Sequence, residues 1–235
     1  MVMRLAIISD IHGNIKALQQ VLIQIRNEGV DSIACLGDIA GYGPFPNECI
    51  DLVRTECSTI ISGNHDAGAV GTLSSGEFNK EGKLAIEWTR TQLTPENREW
   101  LMDLFVSTSV GEVTLVHASP EEPTKWHYVS TWQLYERSFK HFETRFCCIG
   151  HTHIPAIVSP DRSVRGYAKG QRHIINCGSV GQPRDGDPRA SFALLDTDND
   201  TASIIRVPYD ISKTADAIRA AGLPEFLAKR LTFGI

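Results

Sequence analysis

The chain has 235 residues, 42% of them hydrophobic and 22% charged, with a formal net charge of -5. That composition is ordinary for a soluble globular protein with enough chain for one sizeable core. No block of like charges suggests a nucleic-acid footprint, and no stretch approaches the ~20 apolar residues of a membrane span.

The N-terminal apolar run is too short for a signal segment, and Asp10 follows it at once, which points to a cytoplasmic protein. Residues Met3–Ser9 read as a buried strand and Asn14–Arg26 as an amphipathic helix closed near Gly29. Strands are expected at Ser32–Leu36 and Thr59–Ser62, with a helix over Pro46–Arg54 between them. Helices follow at Asn79–Gln92 and Pro95–Leu104, the second with Pro95 in its favourable first turn. Val113–Val116 is strand-like, Thr131–His141 helical, and Arg145–Ile149 a strand again. The texture then changes to short strand candidates at Ala156–Ser159, Val164–Tyr167, His173–Asn176, Ser191–Leu195 and Ala202–Val207. Helices at Ser212–Ala221 and Pro224–Leu231 close the chain.

Strand–helix alternation followed by a run of strands suggests an α/β fold of two sheets, one mainly parallel and one mainly antiparallel, with helices outside. No composition shift divides the chain, so a single domain over residues 1–235 is expected. The six cysteines form no C-x-x-C pair, and several lie in apolar runs. They read as small buried hydrophobes in a reducing compartment, which argues against structural zinc.

Five strands share one feature. The first ends in Asp10-Ile11-His12, the second in Gly37-Asp38 and the third in Gly63-Asn64-His65-Asp66. The Val113 strand ends in His117, and the Arg145 strand in Gly150-His151-Thr152-His153. Ligands of open α/β sheets bind at the carboxyl edge of the strands. Neutral imidazole, carboxylate and amide oxygen suit first-row divalent metals. Asp10, His12, Asp38, Asn64, His117, His151 and His153 are too many for one tetrahedral site, so two metals are the economical reading. Glycines at 37, 63 and 150 would let the backbone turn tightly beside the cluster.

In order and spacing these motifs resemble the signature of the calcineurin-like metallophosphoesterases. The segments GDIAGYGP and NCGSVGQPRDGDPR look like the small bacterial and archaeal phosphodiesterase-like branch. The resemblance implies a four-layer αββα sandwich, two central mixed β-sheets flanked by helices. It implies Asp10, His12, Asp38 and His153 on one metal, and Asp38 (bridging), Asn64, His117 and His151 on the other. A hydroxide between the metals would then attack phosphorus in line with the leaving oxygen. Mn is the first choice for the two divalent ions, with Fe, Zn, Co and Ni open. His65 would contact phosphate or protonate the leaving oxygen, and Asp66 would orient the ring and raise its pKa.

The segment after Gly37-Asp38 lacks the phosphate-gripping arginine of the protein Ser/Thr phosphatases, so a small phosphodiester is the expected substrate. A phosphomonoesterase, a protein or nucleotide phosphatase, is the alternative within enzymes, and a scaffold of the same fold that lost catalysis is the alternative outside them. Arg184, in the loop with Arg189, is a candidate for a substrate oxyanion. Trp126, His127 and Tyr128 either line the pocket, form a lid or pack at the surface.

Overall fold

The computed structural model describes residues 4–164 and 166–235. Strand β1 (Arg4–Ile8) leads into helix α1 (Ile15–Glu28). Asn14 caps that helix by accepting the Ala17 N–H at 3.1 Å, and Gly29 ends it in the left-handed region (φ 62). Then come β2 (Ser32–Cys35), α2 (Pro46–Glu56), β3 (Thr59–Ile60), α3 (Asn64–Val70), α4 (Lys80–Gln92) and α5 (Pro95–Met102). The second half holds β4 (Ser107–Val110), β5 (Val113–Val116), α6 (Trp132–Ser138), β6 (Phe146–Ile149), β7 (Ala156–Val158) and β8 (His173–Asn176). Strands β9 (Ala190–Asp196) and β10 (Thr201–Val207) and helices α7 (Ile211–Ala220) and α8 (Glu225–Phe233) complete the described chain.

The strands form two five-stranded sheets, ordered β10-β9-β1-β2-β3 and β4-β5-β6-β8-β7. Both are mixed. In the first, β1, β2 and β3 are parallel, and β9 and β10 continue the sheet antiparallel. In the second, β5, β6 and β8 are parallel, with β4 and β7 antiparallel at the edges. The expected split into one parallel and one antiparallel sheet is therefore corrected. The late strand run does not make its own sheet: β9 and β10 return to pair beside β1, while β7 and β8 join β6.

Alternation along the strands creates the layers. Leu5 and Ile7 of β1 meet Leu115, Phe146 and Ile175 of the other sheet in a core between the sheets. Ala6 and Ile8 face the opposite way, onto Leu18, Val21 and Ile50 of the helices. Outside the second sheet, Cys147, Ile149 and Ile174 pack on Tyr135, Phe139 and Phe142. Burial on both faces explains why these strands read as continuous apolar runs.

Strand β4 has no counterpart among the expected elements. Its sequence, STSV, is polar and half exposed, and it forms by pairing with β5 across a turn at Gly111 (φ 55). The expected strand at Val164–Tyr167 includes residue 165, which lies outside the described residues. Val164, Gly166 and Tyr167 are not in a strand. Strand β3 stops at Ile60, and Asn64, His65 and Asp66 form the first turn of α3 rather than a strand end.

Candidate metal centre

The carboxyl ends of β1, β2, β3, β5 and β6 deliver their polar residues to one buried point. The loops after β1 and β2 run side by side. Asp10 N–H donates to Gly37 O at 3.0 Å, and His12 N–H to Asp38 O at 2.9 Å. Asp10, His12, Asp38, His151 and His153 all adopt positive φ, between 50 and 64°. Left-handed backbone is costly for residues other than glycine, so five such residues at one site mark strain concentrated there. The loop after β8 supports them from behind. Ser179 Oγ donates to Asp10 O at 2.7 Å, Gly181 N–H donates to the same oxygen at 2.9 Å, and Asn176 Nδ2 donates to Gly150 O at 2.8 Å.

The motif glycines are chosen for space more than for turning. Only Gly37 of the three has positive φ (91), and a Cβ there would stand 2.2 Å from Gly63 N. At Gly63 a Cβ would fall 2.1 Å from Asp38 Oδ1, and at Gly150 one would fall 2.4 Å from Asp10 Oδ2. The expected tight turns at 63 and 150 are thus corrected: those glycines leave room for the carboxylates.

Three rings are fixed by backbone carbonyls. His12 Nδ1 lies 3.2 Å from Ala40 O, His117 Nδ1 2.9 Å from Leu36 O, and His153 Nδ1 2.6 Å from Gln182 O. Each contact requires a proton on Nδ1, so in the neutral ring Nε2 carries the lone pair. Those lone pairs face other acceptors. His12 Nε2 and His153 Nε2 are 3.2 Å apart, and His117 Nε2 is 3.2 Å from Asn64 Oδ1. Asp38 Oδ1 is taken by the His65 N–H at 2.7 Å, while Oδ2 stands 3.6 Å from His12 Nε2 and 3.3 Å from His117 Nε2. Asp10 Oδ2 accepts the His151 N–H at 2.9 Å, and its Oδ1, 3.2 Å from His153 Nε2, has no hydrogen-bond partner among the described residues. His151 Nε2 is also buried without one.

Buried acceptors pointed at one another are unfavourable unless a proton, as on His117, or a metal ion lies among them. Ligand atoms of Asp10, His12 and His153 fall within 4.8 Å of one another, as do those of Asp38, His117 and His151, and of His12, Asp38 and His65. The donor set fits a binuclear metal site.

Ionisation follows the same crowding. Burial alone would raise Asp38, but His117, His65 and His12 hold it well below the usual carboxylate range. Burial opposes protonation of His117 too, yet Asp38 and Asp10 push it up to about 9. Burial takes His151 down to about 3 and His65 down to about 4.

Asp66 does not do what its neighbour position suggested. Its Oδ1 accepts the Ala40 N–H at 3.0 Å and its Oδ2 the Gly63 N–H at 3.1 Å, while His65 Nδ1 has no hydrogen-bond partner among the described residues. Asp66 therefore ties the β2 and β3 loops together instead of orienting the ring. Its own pKa rises to about 7, through burial and the charge of Asp38. The expected rise in the His65 pKa is reversed, because burial outweighs Asp38 and the Arg184 charge adds to it.

Beside the cluster lies a cavity of about 400 Å³, whose lining includes Asn64, His65, His151, Trp126 and Tyr128. Trp126 and Tyr128 therefore line the pocket, whereas His127 lines a neighbouring one with Glu121. Arg184 stands 5.8 Å from the Tyr42 ring centroid and donates to Gln182 Oε1 at 2.9 Å. Arg189 is turned away into an exposed ion pair with Asp187 at 2.6 Å.

A model of the calcineurin-like phosphoesterase superfamily domain matches residues 3–200. The chain belongs to that superfamily. An uncharacterised protein of Methanocaldococcus jannaschii is 38% identical over 240 residues, covering 98% of each chain. The crystal structure of a metallophosphoesterase from Sphaerobacter thermophilus matches with a TM-score of 0.87 and 40% identity over 100% of both chains. Hypothetical protein PH1004 from Pyrococcus horikoshii OT3 shares the fold, with a TM-score of 0.82 and 23% identity over 99% and 98% of the two chains.

Several residues of this phosphoesterase site were not singled out from the sequence. Tyr42 packs on both His12 (4.7 Å) and His65 (4.4 Å), and Phe78 meets His65 edge-on at 4.8 Å. Gln182 and Ser179 hold the loop against His153 and Asp10. Tyr42 lies inside the GDIAGYGP segment, so its place one loop after Asp38 was a usable signal. Phe78 lies between helices, and only folding brings it to the cavity.

Proposed function

We propose that this phosphoesterase uses two divalent metal ions to hydrolyse phosphodiesters. The observation that carries the proposal is Asp38 Oδ2, which has a histidine Nε2 on either side, His12 at 3.6 Å and His117 at 3.3 Å. One carboxylate shared by two histidine sets is what a bridging ligand requires. Asp10, His12, Asp38 and His153 would hold one ion, and Asp38, Asn64, His117 and His151 the other. Mixed nitrogen and oxygen donors are compatible with Mn, Fe, Zn, Co and Ni, and we take Mn as the first ion to test. When bound, the ions lower the pKa of a water molecule and neutralise charge on phosphoryl oxygens.

The protein groups supply position and protons. The carbonyls of Ala40, Leu36 and Gln182 fix the ring tautomers, and the buried loop after β8 excludes solvent from behind. His65 is neutral near pH 7 before substrate binds, with its pKa at about 4. The negative charge of a bound phosphoester raises that value while the two cations lower it, and the ring serves as a proton source for the leaving oxygen where the ester's charge dominates. Alternatively the neutral ring donates a hydrogen bond to a phosphoryl oxygen.

The diester preference rests on charge. The cavity lining carries one lysine, Lys125, against one acid, Glu77. Arg184 is not among the lining residues; one of its NH2 groups is held by Gln182, although its charge is felt at His65. A singly charged diester needs less neutralisation there than a doubly charged monoester. The test is kcat/KM for an aryl diester and its matched monoester, on protein stripped by chelator and reloaded with Mn. Activity should vanish on stripping and return on loading, and the diester should be the better substrate. A clear monoester preference would replace this reading with a phosphomonoesterase.

A further inference from the structure

The cavity beside the candidate metal centre is larger than a phosphoryl group needs. At about 400 Å³ it falls among pockets that enclose an organic molecule of drug size. Asn64, His65 and His151 connect it to the centre, and two loops supply the rest of the wall, one around residues 73–79 and one around 124–128.

These loops bring aromatic rings to the histidines. Tyr128 stacks on His151 with centroids 4.0 Å apart, Trp126 meets His117 at 5.9 Å, and Phe78 meets His65 at 4.8 Å. Trp126 holds a left-handed backbone (φ 54), and Tyr128 keeps 52% of its surface exposed. Tyr128, half in water, and the partly exposed Trp126 and Phe78 offer apolar faces around the cleft for a ligand to cover. Glu77, Asn79 and Lys125 line the same cavity and add an acceptor, an amide and a donor. An alkyl chain would gain nothing from those polar groups. A planar heterocycle uses both features, its face against the rings and its edge against the amide and charged groups.

We propose that this cavity is a nucleobase subsite, so that the substrate is a phosphoester of a nucleoside. The proposal rests on the phosphoesterase reading above and narrows its substrate class.

Calorimetric binding to the Mn-loaded full chain separates the two. AMP and ribose 5-phosphate carry the same phosphate and sugar, and only AMP carries a base. AMP should bind about tenfold or more tightly than ribose 5-phosphate, as base stacking on aromatic side chains allows. Trp126→Ala should shrink that ratio, and Trp126→Phe should restore part of it, with melting curves confirming that both variants fold. Equal affinities in the wild type would overturn the base subsite and leave the phosphoesterase reading standing. Octyl phosphate binding more tightly than AMP would also overturn it, in favour of an alkyl substituent. No binding of either phosphate, on protein that holds metal and hydrolyses an aryl diester, would overturn the base subsite alone, whereas no hydrolysis of either aryl ester by that protein would overturn the phosphoesterase reading.

Discussion

Replacing Gly63 with alanine tests the bridging carboxylate without altering any proposed ligand. The new Cβ would stand 2.1 Å from Asp38 Oδ1 and 2.4 Å from Asp38 N. Ordinary carbon contacts begin near ~3.5 Å, so the carboxylate must retreat by about 1 Å or more. The Asp38 backbone has little freedom to follow: it is left-handed (φ 52), and its carbonyl accepts the His12 N–H at 2.9 Å. The shift would move Oδ2 out of its place between His12 and His117 and weaken both metal sets together. A displacement of this size at reacting groups costs about 100-fold in rate. Overpacking should also cost about 1–3 kcal/mol of stability. Gly76→Ala is the control, since its Cβ would meet nothing closer than Ser74 Oγ at 3.5 Å. Metal per chain, measured by mass spectrometry after equilibration at limiting Mn, should fall for Gly63→Ala and hold for Gly76→Ala. Two equivalents at wild-type affinity in Gly63→Ala would refute the bridging role of Asp38.

Three further outcomes are expected. In chelator, thermal stability should fall as pH drops from about 6.5 toward 4. His65 and His151, unfolded near 6.5, fold with values of about 4 and 3, so the unfolded chain binds the extra protons in that window. His12 and His153 are lowered in the same direction. Asp66, raised to about 7, and His117, raised to about 9, oppose them, their contributions being present at low pH and lost as pH rises through those values. The four lowered imidazoles outweigh these two groups in the window, and a melting profile with the opposite slope would contradict their buried neutral state. His65→Ala should slow an alkyl ester by about 10²–10⁴-fold while sparing a nitrophenyl ester, because only the alkoxide needs a proton to leave. Equal losses with intact metal would assign His65 to phosphate binding, and lost metal would make it a ligand, as its grouping with His12 and Asp38 allows. The six cysteines are free and buried, and burial raises all six thiols, so a thiol reagent should label none until the protein unfolds.

The chain order of polar strand endings was legible because each lies directly after an apolar run, where a parallel strand must stop and the chain must turn. Asp10, His12, Asp38, His117, His151 and His153 could be collected on that ground alone, and the two-layered alternation of Leu5, Ala6, Ile7 and Ile8 belongs to the same local pattern. What such patterns cannot carry is which strand lies beside which. The return of β9 to pair with β1 depends on contacts about 190 residues apart in sequence, and β4 becomes a strand only because β5 offers it an edge. The same holds for side chains. Asp66 follows His65 in sequence, yet the first turn of α3 carries its carboxylate to Ala40 and Gly63. Burial, a property of the assembled layers, then lowers the His65 pKa where a neighbouring acid alone would raise it. Local sequence determined which chemistry the loops could offer. Tertiary packing decided which atoms meet, because hydrogen-bond partners and desolvation are set by what surrounds a group in space and not by what precedes it in the chain.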